Sequence, residues 1–188
     1  MALTTLDPNT ALLVVDLQKG IVGMPIAHPI EDVVANARAL LDVFRQRGLT
    51  VALINVDGVA PGRTEHPRPD LSAFPTGWTD FVPELDRQPG DIAVTKRTWG
   101  AFASTDLEQQ LKARGVTQVV VLGVSTTAGV ESTARQAFEA GFNVTLAIDA
   151  MSDRQAEAHD HSVRHIFPRL GETGTSQEII DLVQTKGA

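Results

Sequence analysis

The chain has 188 residues, of which 43% are hydrophobic and 21% are charged, as expected of one globular domain spanning residues 1–188 with a sizeable core. It contains no cysteine, which excludes disulfides, thiolate metal sites and a cysteine nucleophile. Its formal net charge of -7 argues against nucleic acid as a binding partner.

The first part of the chain alternates predicted strands and helices. Ala11 to Val15 is an apolar run predicted to form a buried strand, and the carboxylate of Asp16 follows it directly. Two glycines and two prolines predict a loop over residues 19–29. An amphipathic helix is predicted over residues 30–47, and a second buried strand over residues 49–56.

Residues 57–90 are the least regular part of the sequence and contain most of its prolines. A loop of this length in a globular domain is usually functional, so we predict that this covering loop lies over the site. A short helix is predicted within it, over residues 81–85. A short third strand over residues 92–95 ends at Lys96, and a helix follows that ends at Arg114.

A run of four apolar residues, Val119 to Leu122, predicts a strand that is buried on both faces. Gly123 ends this run, and three hydroxyl residues, Ser125 to Thr127, are natural N-caps for a helix predicted through Ala140. Such a turn directs backbone N–H groups and a positive helix end into the crevice above a parallel sheet. Ligands of open parallel sheets bind in that crevice.

The remaining part of the chain predicts a strand, a helix, a minimal strand and a final helix. They cover residues 142–148 with Asp149 at the end, a helix from Asp153 towards Phe167, residues 173–174 and residues 177–184. Strands that alternate with helices in this way predict a Rossmann-like α/β fold of three layers, in which a parallel sheet lies between helices.

Three predicted strands bring functional groups to one edge of this sheet. The first ends at Asp16, the third at Lys96 and the fourth at the turn over residues 125–129. A strand-end carboxylate alone is often only a cap or an ion-pair partner. An aspartate and a lysine buried side by side change each other's pKa, which makes them candidates for an acid–base pair.

Three motifs resemble those of the isochorismatase-like hydrolase superfamily, which includes the nicotinamidases and other cysteine amidases. They are VVDLQ at residues 14–18, TKRTWGAF at residues 95–102 and GVSTTAGVESTA at residues 123–134. The resemblance implies a six-stranded parallel sheet of order 3-2-1-4-5-6 and a cis peptide bond between Val124 and Ser125. It also implies a homodimer or a homotetramer.

The same resemblance implies roles for residues of the predicted site. Asp16 and Lys96 are expected to be catalytic, and the backbone N–H groups of Ser125 and Gly129 are expected to form an oxyanion hole. The candidates for contact with a small-molecule substrate are Gln18, Arg63, Trp99, Phe102, Ser125 and Thr126.

Some of these candidates have a second interpretation. Arg63 has the geometry to clamp a carboxylate, or it forms a salt bridge within the covering loop. Trp99 and Phe102 line a pocket for a ring, or they only pack the loop. Thr126 donates a hydrogen bond in the site or caps the helix that follows.

One residue departs from the amidases of the superfamily, which carry their nucleophilic cysteine where this chain has Gly129. The isochorismatases proper also have glycine there, and they hydrolyse a vinyl ether without a covalent intermediate. The resemblance therefore implies acid-catalysed hydrolysis of a small carboxylate-bearing substrate, with Asp16 as proton donor and Lys96 orienting the substrate or tuning Asp16. Because a neighbouring cation favours the ionised carboxylate, Asp16 then needs desolvation to raise its pKa.

Metals, cofactors and membranes are not predicted as partners. Metal-dependent nicotinamidases use one aspartate and two histidines near the end of the second strand, where this chain offers only Asp57 and His66. His159, His161 and His165 share a late helix, but without the glutamate of a zincin pattern they indicate a packed or solvated face. No apolar run is long enough to span a membrane, and no signal peptide begins the chain, so we expect a cytoplasmic protein.

Two other functions remain open. A binding protein on a hydrolase scaffold that lost its nucleophile is one of them, although it has less need of both Asp16 and Lys96. The other is an amidase with a different nucleophile, Thr126 or Thr127, but the sequence places no base beside either residue.

Overall fold

The computed structural model describes residues 3–67 and 70–185. Its strands are β1 (Thr10–Val15), β2 (Thr50–Val56), β3 (Ile92–Lys96), β4 (Gln118–Val124), β5 (Asn143–Ser152) and β6 (Glu172–Gly174). All neighbouring strands are parallel and form one sheet in the order β3-β2-β1-β4-β5-β6. The predicted strand order is therefore confirmed.

Helices cover both faces of the sheet. They are α1 (Lys19–Val22), α2 (Ile30–Gln46), α3 (Leu107–Ala113), α4 (Glu131–Glu139), α5 (Ala156–His161) and α6 (Ser176–Thr185). Leu13 of β1 packs in one core with Leu107 of α3, and its neighbour Leu12 packs in the other core with Leu40 of α2. Because successive strand residues point to opposite faces, the sheet is buried on both sides, which confirms the three-layer prediction. Within the described ranges no helix is long and apolar enough to cross a membrane.

Several helix boundaries differ from the prediction. The four-residue α1 lies in the segment that the glycines and prolines predicted as a loop. The helix predicted over residues 81–85 is a single 3-10 turn at Pro83–Leu85. The helix predicted to run towards Phe167 consists of α5 followed by a π-helical turn at Ser162–Ile166.

Gly123 does not end β4 as predicted. The strand continues to Val124, and Gly123 has a φ of +120°, a conformation that side-chain-bearing residues rarely adopt. A Cβ atom on Gly123 would clash with the carbonyl oxygen of Val15 in β1. Glycine therefore lets β1 and β4 approach closely just before the residues that form the site.

β5 is longer than predicted, so Asp149 lies within the strand rather than at its end. Its Oδ1 atom accepts hydrogen bonds from the N–H (2.7 Å) and the hydroxyl (2.8 Å) of Ser176 at the start of α6. The carboxylate thus lies at the positively polarised N-terminus of α6, which it stabilises.

Asp149→Ala should lower the free energy of unfolding by about 1–2 kcal/mol, because it removes a charged acceptor from the N-terminus of α6. Asp149→Asn keeps an acceptor oxygen and should lose less. Urea unfolding followed by circular dichroism compares the two variants with the wild type. Equal stability of Asp149→Ala and the wild type would contradict this role.

Candidate active site

The carboxyl ends of β1, β3 and β4 meet at one cavity of about 530 Å³. Asp16 follows β1, Lys96 ends β3, and Ser125 and Gly129 belong to the turn after β4. The structure thus brings together the groups that the sequence places at these strand ends. The rest of the lining is mainly apolar and aromatic: Ile21, Met24, Val56, Val59, Pro67, Phe74, Trp78, Trp99, Val124 and Ala128, with Gly58 and Arg154.

Asp16 and Lys96 form a buried ion pair in this cavity. The Nζ atom of Lys96 lies 2.8 Å from Oδ2 of Asp16, and the two residues are only 1% and 5% exposed, respectively. The Lys96 ammonium also donates to the carbonyl oxygen of Thr98 (3.2 Å). The N–H of Asp16 donates to the carbonyl oxygen of Ile54 in β2 (2.8 Å), so the backbone beside the carboxyl is fixed to the sheet.

The two oxygens of the Asp16 carboxyl have different surroundings. Oδ2 accepts from Lys96, whereas Oδ1 is buried and has no hydrogen-bond partner in the part of the chain that the structure describes. Burial raises the pKa of Asp16 from 3.8 to about 6, against the opposing effect of the Lys96 ammonium. Desolvation therefore outweighs the neighbouring cation, which is the condition for a proton donor.

The turn after β4 begins with a cis peptide bond between Val124 and Ser125, as the resemblance implies. Thr126–Val130 then forms a π-helical turn that leads into α4. A Cβ atom on Gly129 would lie 2.9 Å from Oδ2 of Asp16. The carboxyl of Asp16 therefore lies so close to the turn that any residue other than glycine would displace it.

No hydroxyl of this turn makes a capping hydrogen bond, so the prediction of side-chain caps is wrong, although Ser125 stands at the N-cap position of the turn. The Thr126 hydroxyl is buried and pairs with Nδ1 of His159 in α5 (2.8 Å), and it does not line the cavity. The N–H and the hydroxyl of Thr127 both donate to Oδ2 of Asp153 (2.8 Å each). Asp153, at which the sequence predicted the helix after β5 to begin, therefore lies outside that helix and holds this turn.

Gln18 holds the covering loop and does not line the cavity. Its Oε1 accepts from the Val56 N–H (2.7 Å), and its Nε2 donates to the carbonyl oxygens of Val56 (3.1 Å) and Trp78 (3.3 Å). A buried side-chain amide matches one backbone donor and two acceptors in this arrangement. Gln18 thus ties the end of β2 to the segment that carries Trp78.

The other predicted substrate contacts separate into two groups. Trp99 and Ser125 line the cavity, and the Trp99 side chain remains 66% exposed. Phe102 instead packs against Phe142 in the core, with ring centroids 6.0 Å apart. Arg63 is exposed and does not belong to the lining, because the covering loop turns its apolar residues to the cavity.

Two parts of the lining were not predicted. The rings of Phe74 and Trp78 stack with centroids 4.2 Å apart and form an aromatic wall from the covering loop. Arg154 follows β5 after one intervening residue, Asp153, and adds a second basic side chain. Its place after a parallel strand was the available signal, but the predicted strand ended too early for that signal to be recognised.

The residues considered as metal ligands do not form one cluster. Asp57 pairs with Arg97 (3.3 Å between Oδ1 and Nε). The rings of His161 and His165 lie 5.2 Å apart, whereas His159 is buried against Thr126. In residues 3–67 and 70–185, no group of three histidines or carboxylates is arranged to hold a metal ion.

Comparison with known proteins supports the fold. The model of the isochorismatase domain family matches residues 10–178. The isochorismatase family protein YwoC of Bacillus subtilis is 42% identical over 182 residues, which cover 94% of this chain and 95% of YwoC. YecD of Escherichia coli O157:H7, a protein of the same family, is 41% identical over 181 residues, covering 92% of this chain and 95% of YecD. The structure of an isochorismatase family protein from Burkholderia thailandensis matches with a TM-score of 0.90 at 38% identity, covering 96% of this chain and 98% of that protein.

Proposed function

The chain belongs to the isochorismatase family of hydrolases, and we propose that it hydrolyses a vinyl ether on a small carboxylate-bearing substrate by acid catalysis. The observation that carries this proposal is the state of the Asp16 carboxyl. It is buried, Lys96 holds one of its oxygens, the other has no partner among the described residues, and its pKa is raised to about 6. A carboxyl with these properties can hold a proton near neutral pH and release it to a substrate.

The proposed reaction needs no nucleophilic side chain. Protonated Asp16 transfers its proton to the terminal carbon of the vinyl ether, and the π electrons form the new C–H bond. The ether oxygen stabilises the resulting oxocarbenium ion, to which a water molecule adds. The added water loses a proton, which restores the acid, and the hemiketal splits into a keto acid and an alcohol. Glycine at position 129 and the absence of cysteine are compatible with every step.

The cavity has the size and the walls that such a substrate needs. Its volume of about 530 Å³ lies within the range of roughly 300–1,000 Å³ of small-molecule sites. Apolar and aromatic residues line most of it, which favours a ring or another apolar skeleton. The few charged groups of the lining can then contact the reacting bond and the carboxylate of the substrate.

An amidase with a threonine nucleophile has less support. Thr126 does have a neighbouring base, His159, but this hydroxyl is fully buried. The Thr127 hydroxyl donates to the Asp153 carboxylate, which also accepts from the Thr127 N–H and so holds the turn. Neither residue lines the cavity.

The first experiment is incubation with isochorismate, followed by assay of pyruvate, and with nicotinamide, followed by assay of ammonia. Release of pyruvate supports the proposal, and release of ammonia alone supports an amidase. If neither product forms, and ligands bind equally well to the wild type and to Asp16→Asn, the binding-protein function is supported instead.

The pH dependence of the reaction tests the protonation state of Asp16. Because the protonated form is the active one and its pKa is raised to about 6, kcat/KM should fall about tenfold per pH unit well above that value. A profile measured from pH 5 to pH 9, with roughly unit spacing, detects this slope. A rate that rises with pH through the same range would indicate that the carboxylate acts as a base.

A further inference from the structure

Three charged side chains line the cavity, and they differ in whether protein groups already occupy them. The Lys96 ammonium is occupied by Asp16 (2.8 Å) and by the carbonyl oxygen of Thr98 (3.2 Å). The Arg154 side chain is exposed, and its guanidinium takes part in none of the ion pairs found among the described residues. Arg154 is therefore the cation of the lining that is available to a ligand.

The charge of the cavity depends on the protonation of Asp16. With Asp16 ionised, its charge cancels that of Lys96, and Arg154 leaves a net positive charge. When Asp16 carries its proton, as the proposed reaction requires, two cations and no anion line the cavity. An anionic ligand is then favoured, and a guanidinium can bind a carboxylate through two parallel hydrogen bonds.

The backbone that carries Arg154 is fixed to the turn of the site. The Arg154 N–H donates to Oδ1 of Asp153 (2.7 Å), whose Oδ2 accepts from the N–H and the hydroxyl of Thr127 (2.8 Å each). The Asp153 carbonyl oxygen accepts from the N–H of Ala27 (2.7 Å). The buried Asp153 carboxylate thus joins the backbone of Arg154 to the turn that contains Gly129. A ligand therefore has to order only the side chain of Arg154.

From these contacts we infer that Arg154 is the residue that binds the substrate carboxylate and makes the cavity selective for anions. The apolar part of the ligand packs against the aromatic wall of Phe74 and Trp78 and against Trp99. This inference deepens the proposed function, and it rests on that proposal only in assigning the bound carboxylate to the substrate. Arg154 takes the role that the sequence suggested for Arg63.

Tryptophan fluorescence offers a direct measurement of binding. The chain has two tryptophans and no tyrosine, and both tryptophans line the cavity. Titration with benzoate and with benzamide, its neutral counterpart of nearly the same shape, therefore separates the carboxylate from the ring. The wild type should bind benzoate more tightly than benzamide.

Arg154→Gln should weaken benzoate binding about tenfold, because it removes a charge-assisted hydrogen-bonding pair, and should leave benzamide binding unchanged. Arg154→Lys keeps the charge but lacks the two parallel N–H donors of a guanidinium, and it should give an intermediate affinity for benzoate. Arg114→Gln is the matched control, since Arg114 is exposed after α3 and does not line the cavity. It should bind both compounds as the wild type does.

Two results overturn the inference: equal benzoate affinity of the wild type and Arg154→Gln, or no preference of the wild type for benzoate over benzamide. If the wild type does not bind benzoate at all, the inference is overturned as well. The titration needs no turnover, so it is separate from the test of the reaction. Benzoate binding through Arg154 without hydrolysis of any vinyl ether would overturn the proposed function and leave this inference standing.

Discussion

Asp16→Asn should lower the rate of hydrolysis by about 10²–10⁴-fold, the usual loss when a general acid is removed. Asparagine keeps the shape of the side chain but cannot deliver a proton to the substrate. The assay is kcat for isochorismate, or for another vinyl ether on which the wild type is found to act, measured near the raised pKa of Asp16 of about 6. Benzoate binding through Arg154, followed by tryptophan fluorescence, should persist in this variant.

The same substitution should also lower stability, because it leaves the Lys96 ammonium buried without a counter-charge. Removal of one partner of a buried ion pair costs roughly 3–5 kcal/mol, and the asparagine oxygen that can still accept from Lys96 makes the loss smaller. The double variant Asp16→Asn, Lys96→Met removes both charges and should recover stability in urea unfolding without recovering activity. Full hydrolysis by Asp16→Asn would show that Asp16 is not the acid.

Ionised Asp16 lowers the free energy of unfolding at neutral pH. Its pKa is raised from 3.8 to about 6 in the native state, so between these values the native protein holds more protons than the unfolded chain. The contribution of Asp16 to stability is therefore fully present below 3.8 and is lost as the pH rises through about 6. A buried aspartate that destabilises the native state in this way is better explained by a catalytic role than by a role in packing.

The groups at the floor of the cavity were predictable because each lies at the end of a recognisable strand, a wholly apolar run before Asp16 and a shorter run with Thr95 before Lys96. β1 is buried on both faces, whereas β3 alternates buried and exposed residues. Because parallel strands end at one edge of the sheet, Asp16 and Lys96 were expected at the same edge, where they form an ion pair. Glycine at position 129 was visible too, as a departure from a motif. The close approach of Gly129 to the Asp16 carboxyl could not be predicted, because the distance between the two residues depends on how closely β1 and β4 approach.

The parts that were missed depend on contacts between distant segments. Asp149 interrupts an apolar run, so the sequence predicted the end of β5 too early, although Ser176 satisfies this carboxylate inside the strand. The true end at Ser152 is what brings Arg154 to the edge of the site. The pairing of Thr126 with a histidine in α5 likewise has no local signal, since hydroxyls before a helix usually indicate caps.

Gly129→Ala should lower activity by about tenfold, because the Asp16 carboxyl has to move by less than about 1 Å and a full misplacement of that size can cost roughly 10²-fold. The new Cβ would lie 2.9 Å from Oδ2 of Asp16 and 3.0 Å from Cγ1 of Val15. Lys96 holds the carboxyl from another side (2.8 Å), so Asp16 can make room only by distorting the ion pair. The measurement is kcat over the same pH range as for the wild type.

Gly90→Ala is the matched control, because no atom lies within 4 Å of a Cβ at Gly90, and it should leave kcat unchanged. The pH profile then separates position from proton transfer. Gly129→Ala retains the acid, so a slower reaction should still lose rate as the pH rises, whereas Asp16→Asn should lose that dependence altogether. Wild-type activity in Gly129→Ala would mean that the close approach of the Asp16 carboxyl to the turn is not required for the reaction.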